Sequence, residues 1–274
     1  MLTDPDYAAG GGPQNGAAAP ETSQYWGSMR VATFNILHGL SPGDGRVDPG
    51  RLAEAVRALD VDVLALQEVD RHQPRSGLAD LTEVAAEAMG AVDHRFVPAL
   101  LGTPGESWVP AAGSQPPDGP AYGIALLSRL PVAAWRVVRL PRLRLPAPSR
   151  EEPRVALVVE ISSPWGPVTV AGTHLSFVPW WNGRQLRALV ATVAGAPRPL
   201  LLGDLNMGTR RAQAVSGLRC LALHATFPTG APARQLDHVL AGASLRAVSS
   251  EALRTPVSDH LALVVDLARP AGHH

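Results

Sequence analysis

Apolar residues fall along this chain in two rhythms, short dense runs and helical spacings, and the two alternate from Arg30 onward. Val31 to Leu37 reads as a strand. Leu52, Val56 and Leu59 recur at helical spacing behind Pro49-Gly50, which predicts a helix over 50–59. Val61 to Leu66 predicts a buried strand. Leu78 to Met89 carries a helical period and stops at Gly90. Ile124 to Leu127 predicts a further strand. Val155 to Ile161 and Val168 to Thr173 form a hairpin-like pair around a Ser-Ser-Pro-Trp-Gly-Pro turn. Leu186, Leu189, Val190 and Val193 mark a helix, Leu200 to Leu202 a short buried strand, and 209–217 another helix. Leu236 to Leu240 and Leu261 to Leu267 read as the last strands. Residues 102–121 and 141–153, rich in Pro with Gly or Arg, predict long loops. Many strands with few helices imply mixed sheets covered by helices, an α/β or α+β class in one large domain.

Composition narrows the class. The chain has 274 residues, 46% of them hydrophobic, which is enough for a core and excludes wholesale disorder. No apolar run approaches the ~18–20 residues that a membrane span needs. No basic-plus-apolar leader opens the chain. The expectation is therefore a cytoplasmic protein, a monomer with no obligate protein partner. Residues 1–28 are rich in Gly, Ala, Pro and polar side chains and are expected to be a disordered N-terminal segment. The folded domain is expected over 29–269, with 270–274 as a tail. Acidic and basic residues balance at 24 each, and every basic residue is Arg. A neutral chain is a poor candidate for salt-driven, non-specific nucleic-acid binding. The single cysteine, Cys220, excludes an intrachain disulfide and a thiolate metal cluster, and reads as a small core residue.

The chemical signal is a repeated event at strand ends. Apolar runs stop abruptly in acidic, amide or imidazole residues at Asn35, at Gln67-Glu68, at His174, at Asp204-Leu205-Asn206, at Asp237-His238 and at Asp259-His260. A carboxylate beside a buried strand is costly unless it is hydrogen-bonded, paired or bound to a cation. Six such ends in one chain imply convergence on a common rim, where sheets place ligands. The donors are mostly hard oxygens, which suit Mg²⁺, Mn²⁺ or Ca²⁺ better than zinc. No His-Glu-x-x-His pair, Gly-x-Ser-x-Gly elbow or phosphate-cradling P-loop occurs. An oxygen-ligated Mg²⁺ site flanked by histidines points to hydrolysis of phosphate esters.

The ordered set TFN, LQEVD, YGIALLSR, GTHL, GDLN, LDH and SDH resembles the endonuclease/exonuclease/phosphatase superfamily, from about Arg30 to Ala268. That group includes deoxyribonucleases, abasic-site endonucleases, inositol polyphosphate 5-phosphatases and neutral sphingomyelinases. The resemblance implies a four-layer sandwich of two mixed β-sheets flanked by helices, and a divalent-metal-dependent phosphoesterase using Mg²⁺, with Mn²⁺ as the alternative. Carried over by motif, Glu68 resembles the principal metal ligand, with Asn35 beside it and Asp259 as a second metal or leaving-group residue. Asp204 resembles the residue that orients or deprotonates the attacking water. Asn206, His174 and His260 resemble donors to the phosphate, and Asp237 the partner that orients His260. Tyr122 resembles a phosphate-contacting tyrosine. Arg154 is the choice for a phosphate-contacting arginine over Arg150. His238 departs from the aromatic residue that many relatives carry after the Asp.

Other residues stay open at this point. Trp180-Trp181, just after His174, reads equally as packing or as a stacking platform. Arg136, Arg139, Arg142 and Arg144 read as a solvated face, with a phosphate or membrane contact as the alternative. His38, His72 and His224 read as loop or structural residues. The functional expectation is a phosphodiesterase acting on a small phosphodiester or a lipid head-group. A nuclease on DNA or RNA is the alternative, and a catalytically inactive binding module the alternative of another class.

Overall fold

The structure, a computed structural model, describes residues 27–113, 118–142, 151–163 and 165–268. Nearly all of the expected disordered segment, the tail, Arg144 and Arg150 lie outside these residues.

The chain opens with β1 (Ser28–Asn35), a 3₁₀ turn over Leu37–Gly39, and two short strands, β2 (Leu40–Ser41) and β3 (Arg46–Val47). α1 (Pro49–Leu59), β4 (Val63–Arg71), α2 (Leu81–Met89), β5 (Asp93–Leu101), β6 (Val109–Pro110) and β7 (Ala121–Ser128) follow. The second half carries β8 (Val132–Arg139), β9 (Val155–Ser163), β10 (Gly166–His174), α3 (Pro179–Val193), β11 (Leu200–Asp204) and α4 (Thr209–Ser216). It ends with β12 (Arg219–Cys220), β13 (Asp237–Ala241), β14 (Arg246–Leu253) and β15 (Ala262–Ala268).

Two large sheets result. The first runs β14-β15-β1-β4-β7-β5-β6 and the second β12-β13-β11-β10-β9-β8. Both are mixed. β1 pairs parallel with β4 and β10 parallel with β11, while the other ladders are antiparallel. Alternation along each strand splits its side chains between two cores. Val31, Val63, Ala65 and Leu126 of the first sheet meet Leu157, Val170, Leu200 and Leu202 of the second. Ala32, Phe34, Leu64 and Leu66 turn outward onto Leu52, Val56, Leu81 and Met89 of α1 and α2. On the far side Ala171, Leu201 and Leu240 meet Leu186 and Leu189 of α3 and Ala212 of α4. The layers are therefore helix, sheet, sheet, helix, as expected. Both faces of the central strands are covered, so their sequences are continuously apolar. Each fully buried Val, Leu or Ile contributes about 1.5–3 kcal/mol.

Several elements differ from the sequence expectation. α2 starts at Leu81, because the Asp80 side chain accepts from the backbone N–H of Thr82 and Glu83 and caps it there. β1 stops at Asn35, since Leu37 and His38 take positive φ. β4 continues past Leu66 through a bulge to Arg71. β5, β8 and β14 were not signalled at all. β8 and β14 are edge strands with polar exposed faces, and β5 contains Pro98, which interrupts a strand pattern. The loop expected over 102–121 contains the two-residue β6.

Candidate active site

The strand ends do converge. The first sheet brings Asn35 from β1 and Glu68 from β4, and the segment before β15 brings Asp259 and His260. The second sheet brings His174 from β10, Asp204 from β11 and Asp237 from β13, with Asn206 just beyond β11. Glu68, Tyr122, Glu152, Arg154, His174, Phe177, Asp204, Asn206, Phe227, Arg234, Leu236 and His260 line one cleft of about 470 Å³.

Backbone geometry aims these groups. Glu68 sits in the bulge of β4 with φ 57°, and Asn206 and Ser258 also have positive φ, at 50° and 75°. Such conformations cost of order 1–3 kcal/mol each and persist where surrounding structure holds them. A regular strand would send Glu68 into the apolar layer under α1 and α2; the bulge turns it to the cleft. In β11, a side chain on Gly203 would collide with the Thr173 carbonyl. Only glycine lets β11 approach β10 closely enough to put Asp204 in register beside His174.

A continuous polar network joins the two sheets. The Asn35 side-chain amide donates to Glu68 Oε1 at 2.9 Å and to Asp204 Oδ2 at 3.1 Å, while its oxygen accepts from Leu37 N. The other Asp204 oxygen accepts from Asn206 N at 2.9 Å. Asp204 Oδ2 lies 3.6 Å from His174 Nε2 and 3.9 Å from His260 Nε2. Asp237 Oδ2 lies 2.8 Å from His260 Nδ1. Asn206 Nδ2 donates to Leu175 O and lies 3.3 Å from His174 Nε2. Ser258 Oγ donates to Asn35 O at 2.6 Å and accepts from His260 N, tying the first strand of the chain to the segment before its last.

Electrostatics differentiates the groups. Burial, helped by the Asp237 charge, raises the Asp204 carboxyl to about 7 against the donation from Asn35 and Asn206. Burial alone pulls His260 down, but the hydrogen bond and charge of Asp237, with Asp204 and Asp259, outweigh it and raise His260 to about 9. Burial and the Arg154 charge hold His174 well below its ordinary value. Burial also pushes Glu68 up, and burial with the Glu68 and Glu152 charges pushes the Tyr122 phenol up.

The donor set fits a hard cation at the Glu68 end. Glu68 pairs with no arginine among the described residues and takes its hydrogen bond from a neutral amide. Asp259 Oδ1 is buried without a hydrogen-bond partner, although Asp259 itself does not line the cleft. Carboxylate and amide oxygens of this kind are the hard donors that suit a divalent ion. Asp204, Asp237 and His260 also bring ligand atoms within 4.8 Å of one another. There, however, Asp237 and the His260 ring already engage each other at 2.8 Å.

The remaining sequence candidates separate. Tyr122 and Arg154 are buried on the cleft wall, with Arg154 Nη2 3.4 Å from Glu152. Trp181 packs inward, Trp180 is exposed, and neither lines the cleft. Arg136 donates to Thr192 O and Arg139 to Gly113 O, on β8 and away from the cleft. His238 is buried, 2.7 Å from Met207 O, and holds the backbone behind Asp237 and Asn206. His224 meets Ser250 at the surface of the same half. Glu152, Phe177, Phe227, Arg234 and Leu236 line the cleft without having been singled out from sequence. Leu236 opens the LDH motif, the other four sit on loops outside any motif, and Glu152 carried only its place near Arg154 as a signal.

The sequence model of the Endonuclease/Exonuclease/phosphatase family matches residues 32–260. The chain belongs to this family. Its members are generally phosphoester hydrolases and generally depend on a divalent metal. Among solved structures, a family protein from Beutenbergia cavernae is 28% identical, with a TM-score of 0.74, over 89% of this chain and 72% of that one. A mannosyl-6-phosphatase from Bacteroides thetaiotaomicron is 17% identical, with a TM-score of 0.64, over 88% and 99%. Sphingomyelinase C from Streptomyces griseocarneus is 18% identical, with a TM-score of 0.58, over 87% and 99%. The last two share the fold. No curated protein matches the chain.

Proposed function

We propose that this family member is a Mg²⁺-dependent phosphodiesterase, with Mn²⁺ as an alternative metal, in which water attacks phosphorus. The observation that supports it most is the hydrogen-bonded chain from Glu68 through the buried Asn35 to Asp204, beside His174 and His260, with Glu68, Asp204 and both histidines lining one cleft. Glu68 would hold the metal, with Asn35 and Asp259 beside it. The bound ion would neutralise charge on the phosphate oxygens and on the departing oxygen.

The protein groups supply the rest. Asp204, poised near neutrality, orients the attacking water and takes its proton as the new oxygen–phosphorus bond forms. Asp237 keeps one ring nitrogen of His260 occupied, so its charged ring presents Nε2–H to a phosphate oxygen. His174 and the Asn206 amide add neutral donors, and Arg154 and Tyr122 add contacts from the wall. Each stabilises charge that grows in the transition state. The ester bond on the far side of phosphorus breaks, and its oxygen leaves with the organic group.

The test is turnover of a phosphate-ester panel with and without Mg²⁺ or Mn²⁺, with Asp204→Asn as the blank. The panel holds plasmid DNA, abasic duplex, an aryl phosphodiester, inositol phosphates and sphingomyelin. Metal-dependent turnover of one class that disappears in the variant supports the reading. Equal rates in the variant overturn the role of Asp204, and no metal dependence overturns the metal chemistry.

A further inference from the structure

The chain has four phenylalanines. Phe34 and Phe96 are buried in the core, whereas Phe177 and Phe227 line the cleft. Phe177, on the loop between β10 and α3, is 66% exposed. An exposed ring at the mouth of a polar cleft is a ready surface for a flat ligand to cover. Phe227 comes from the loop between β12 and β13, and one side of its ring lies against His260, with centroids 4.9 Å apart. The same loop folds back so that Phe227 and Arg234 exchange backbone hydrogen bonds of 3.0 and 2.9 Å, which brings an arginine to the cleft beside the aromatic ring. Arg234 is exposed and makes no ion pair among the described residues. Arg154 already serves the reaction centre, so Arg234 is a second cation. The cleft volume of about 470 Å³ suits a small molecule in the usual range of ligand sites.

We infer that Phe177, Phe227 and Arg234 form a subsite for the organic part of the substrate, and that this part is a flat aromatic base carrying further negative charge, as in a mononucleotide or dinucleotide. The inference rests on the phosphoesterase reading above. Stacking on Phe177 and Phe227 holds the ring, Arg234 meets the additional anionic group, and the ester phosphorus then lies toward Asp204 and His260. Aromatic stacking discriminates a base from a bare sugar without reading its hydrogen-bonding edge.

Calorimetry tests it on the full chain carrying Asp204→Asn, with Mg²⁺ present, so that no probe is turned over. The probes are adenosine 5′-monophosphate, ribose 5-phosphate and adenosine 3′,5′-bisphosphate. The monophosphate should bind about tenfold more tightly than ribose 5-phosphate. Phe177→Ala should abolish that preference and Phe177→Tyr should keep it, with ribose 5-phosphate unaffected by either. Arg234→Gln should remove several-fold affinity for the bisphosphate alone. Phe227 is left intact because it also supports His260. Equal binding of the base-bearing and base-free probes, or a preference that survives Phe177→Ala, overturns the subsite. If no probe binds while methyl p-nitrophenyl phosphate is hydrolysed with metal by the unsubstituted chain, the subsite fails and the phosphodiesterase stands. If that ester is not hydrolysed either, the parent reading fails and the subsite falls with it.

Discussion

The two sheets end in different chemistry. The rim of the first sheet presents an amide and two acids, Asn35, Glu68 and Asp259, all hard oxygen donors. The rim of the second presents His174, Asp204, Asn206 and Asp237, which under the proposed mechanism handle protons and bind the phosphate. Asn35 meets Asp204, and His260 meets both Asp237 and Asp204, across the two rims. His260 belongs by sequence to the first sheet but by chemistry to the second. The comparison teaches that neither half has a site of its own. The two sets of polar groups stand on separate layers, and packing the layers together assembles them.

Breaking the second rim at its centre has the largest effect. Asp204→Asn should lower turnover about 10³-fold or more, because an amide cannot take the water's proton. Unchanged thermal unfolding would confirm that chemistry alone was lost. Asp237→Asn should cost about 10²-fold, since His260 loses the partner that fixes its ring; steady-state rates on the same substrate check it. Gly203→Ala should cost about as much without touching a reacting group, by pushing β11 away from β10 and misplacing Asp204. Circular dichroism beside kinetics separates that displacement from unfolding.

The first rim answers to a different measurement. Glu68→Gln should weaken Mg²⁺ binding at least about tenfold, and calorimetry with the ion alone reads it without substrate. Unchanged affinity would move the metal elsewhere. The smallest effect lies behind the second rim. Burial keeps His238 below its ordinary 6.5 in the folded chain. Below that pH the unfolded chain takes up a proton that the folded chain refuses, so the contribution to stability present at neutral pH is lost as pH falls. The loss is at most about 1.4 kcal/mol between pH 6.5 and 5.5. Urea unfolding at both pH values should show a smaller drop in His238→Gln.

The legible parts of the sequence were those under a two-sided constraint. Val63 to Leu66 and Leu200 to Leu202 are apolar at every position because each face meets a layer, and no other element accommodates that pattern so well. Edge strands such as β8 and β14 meet a core on one face at most, so their polar residues hide the strand. The short motifs marked where the polar ends would gather, and Asn35, Glu68, His174, Asp204, Asn206, Asp237 and His260 all lie in the network. Phe177, Arg234 and Glu152 escaped because their loops are drawn to the cleft by the path of the chain. No local pattern encodes that path. The bulge at Glu68 escaped for a related reason: a left-handed residue inside a strand is held by its neighbours in space.

β1 and β15 lie side by side, and Ser258 clasps the end of one to the approach of the other. The polar network thereby depends on one of the last segments of the folded domain to be synthesised. A ribosome that has released everything through β13 has supplied Glu68, His174, Asp204 and Asp237, yet His260 is missing and the outer edge of β1 is bare. Such a fragment holds only part of the polar network. The site is complete only when β15 is threaded between β1 and β14 of the first sheet.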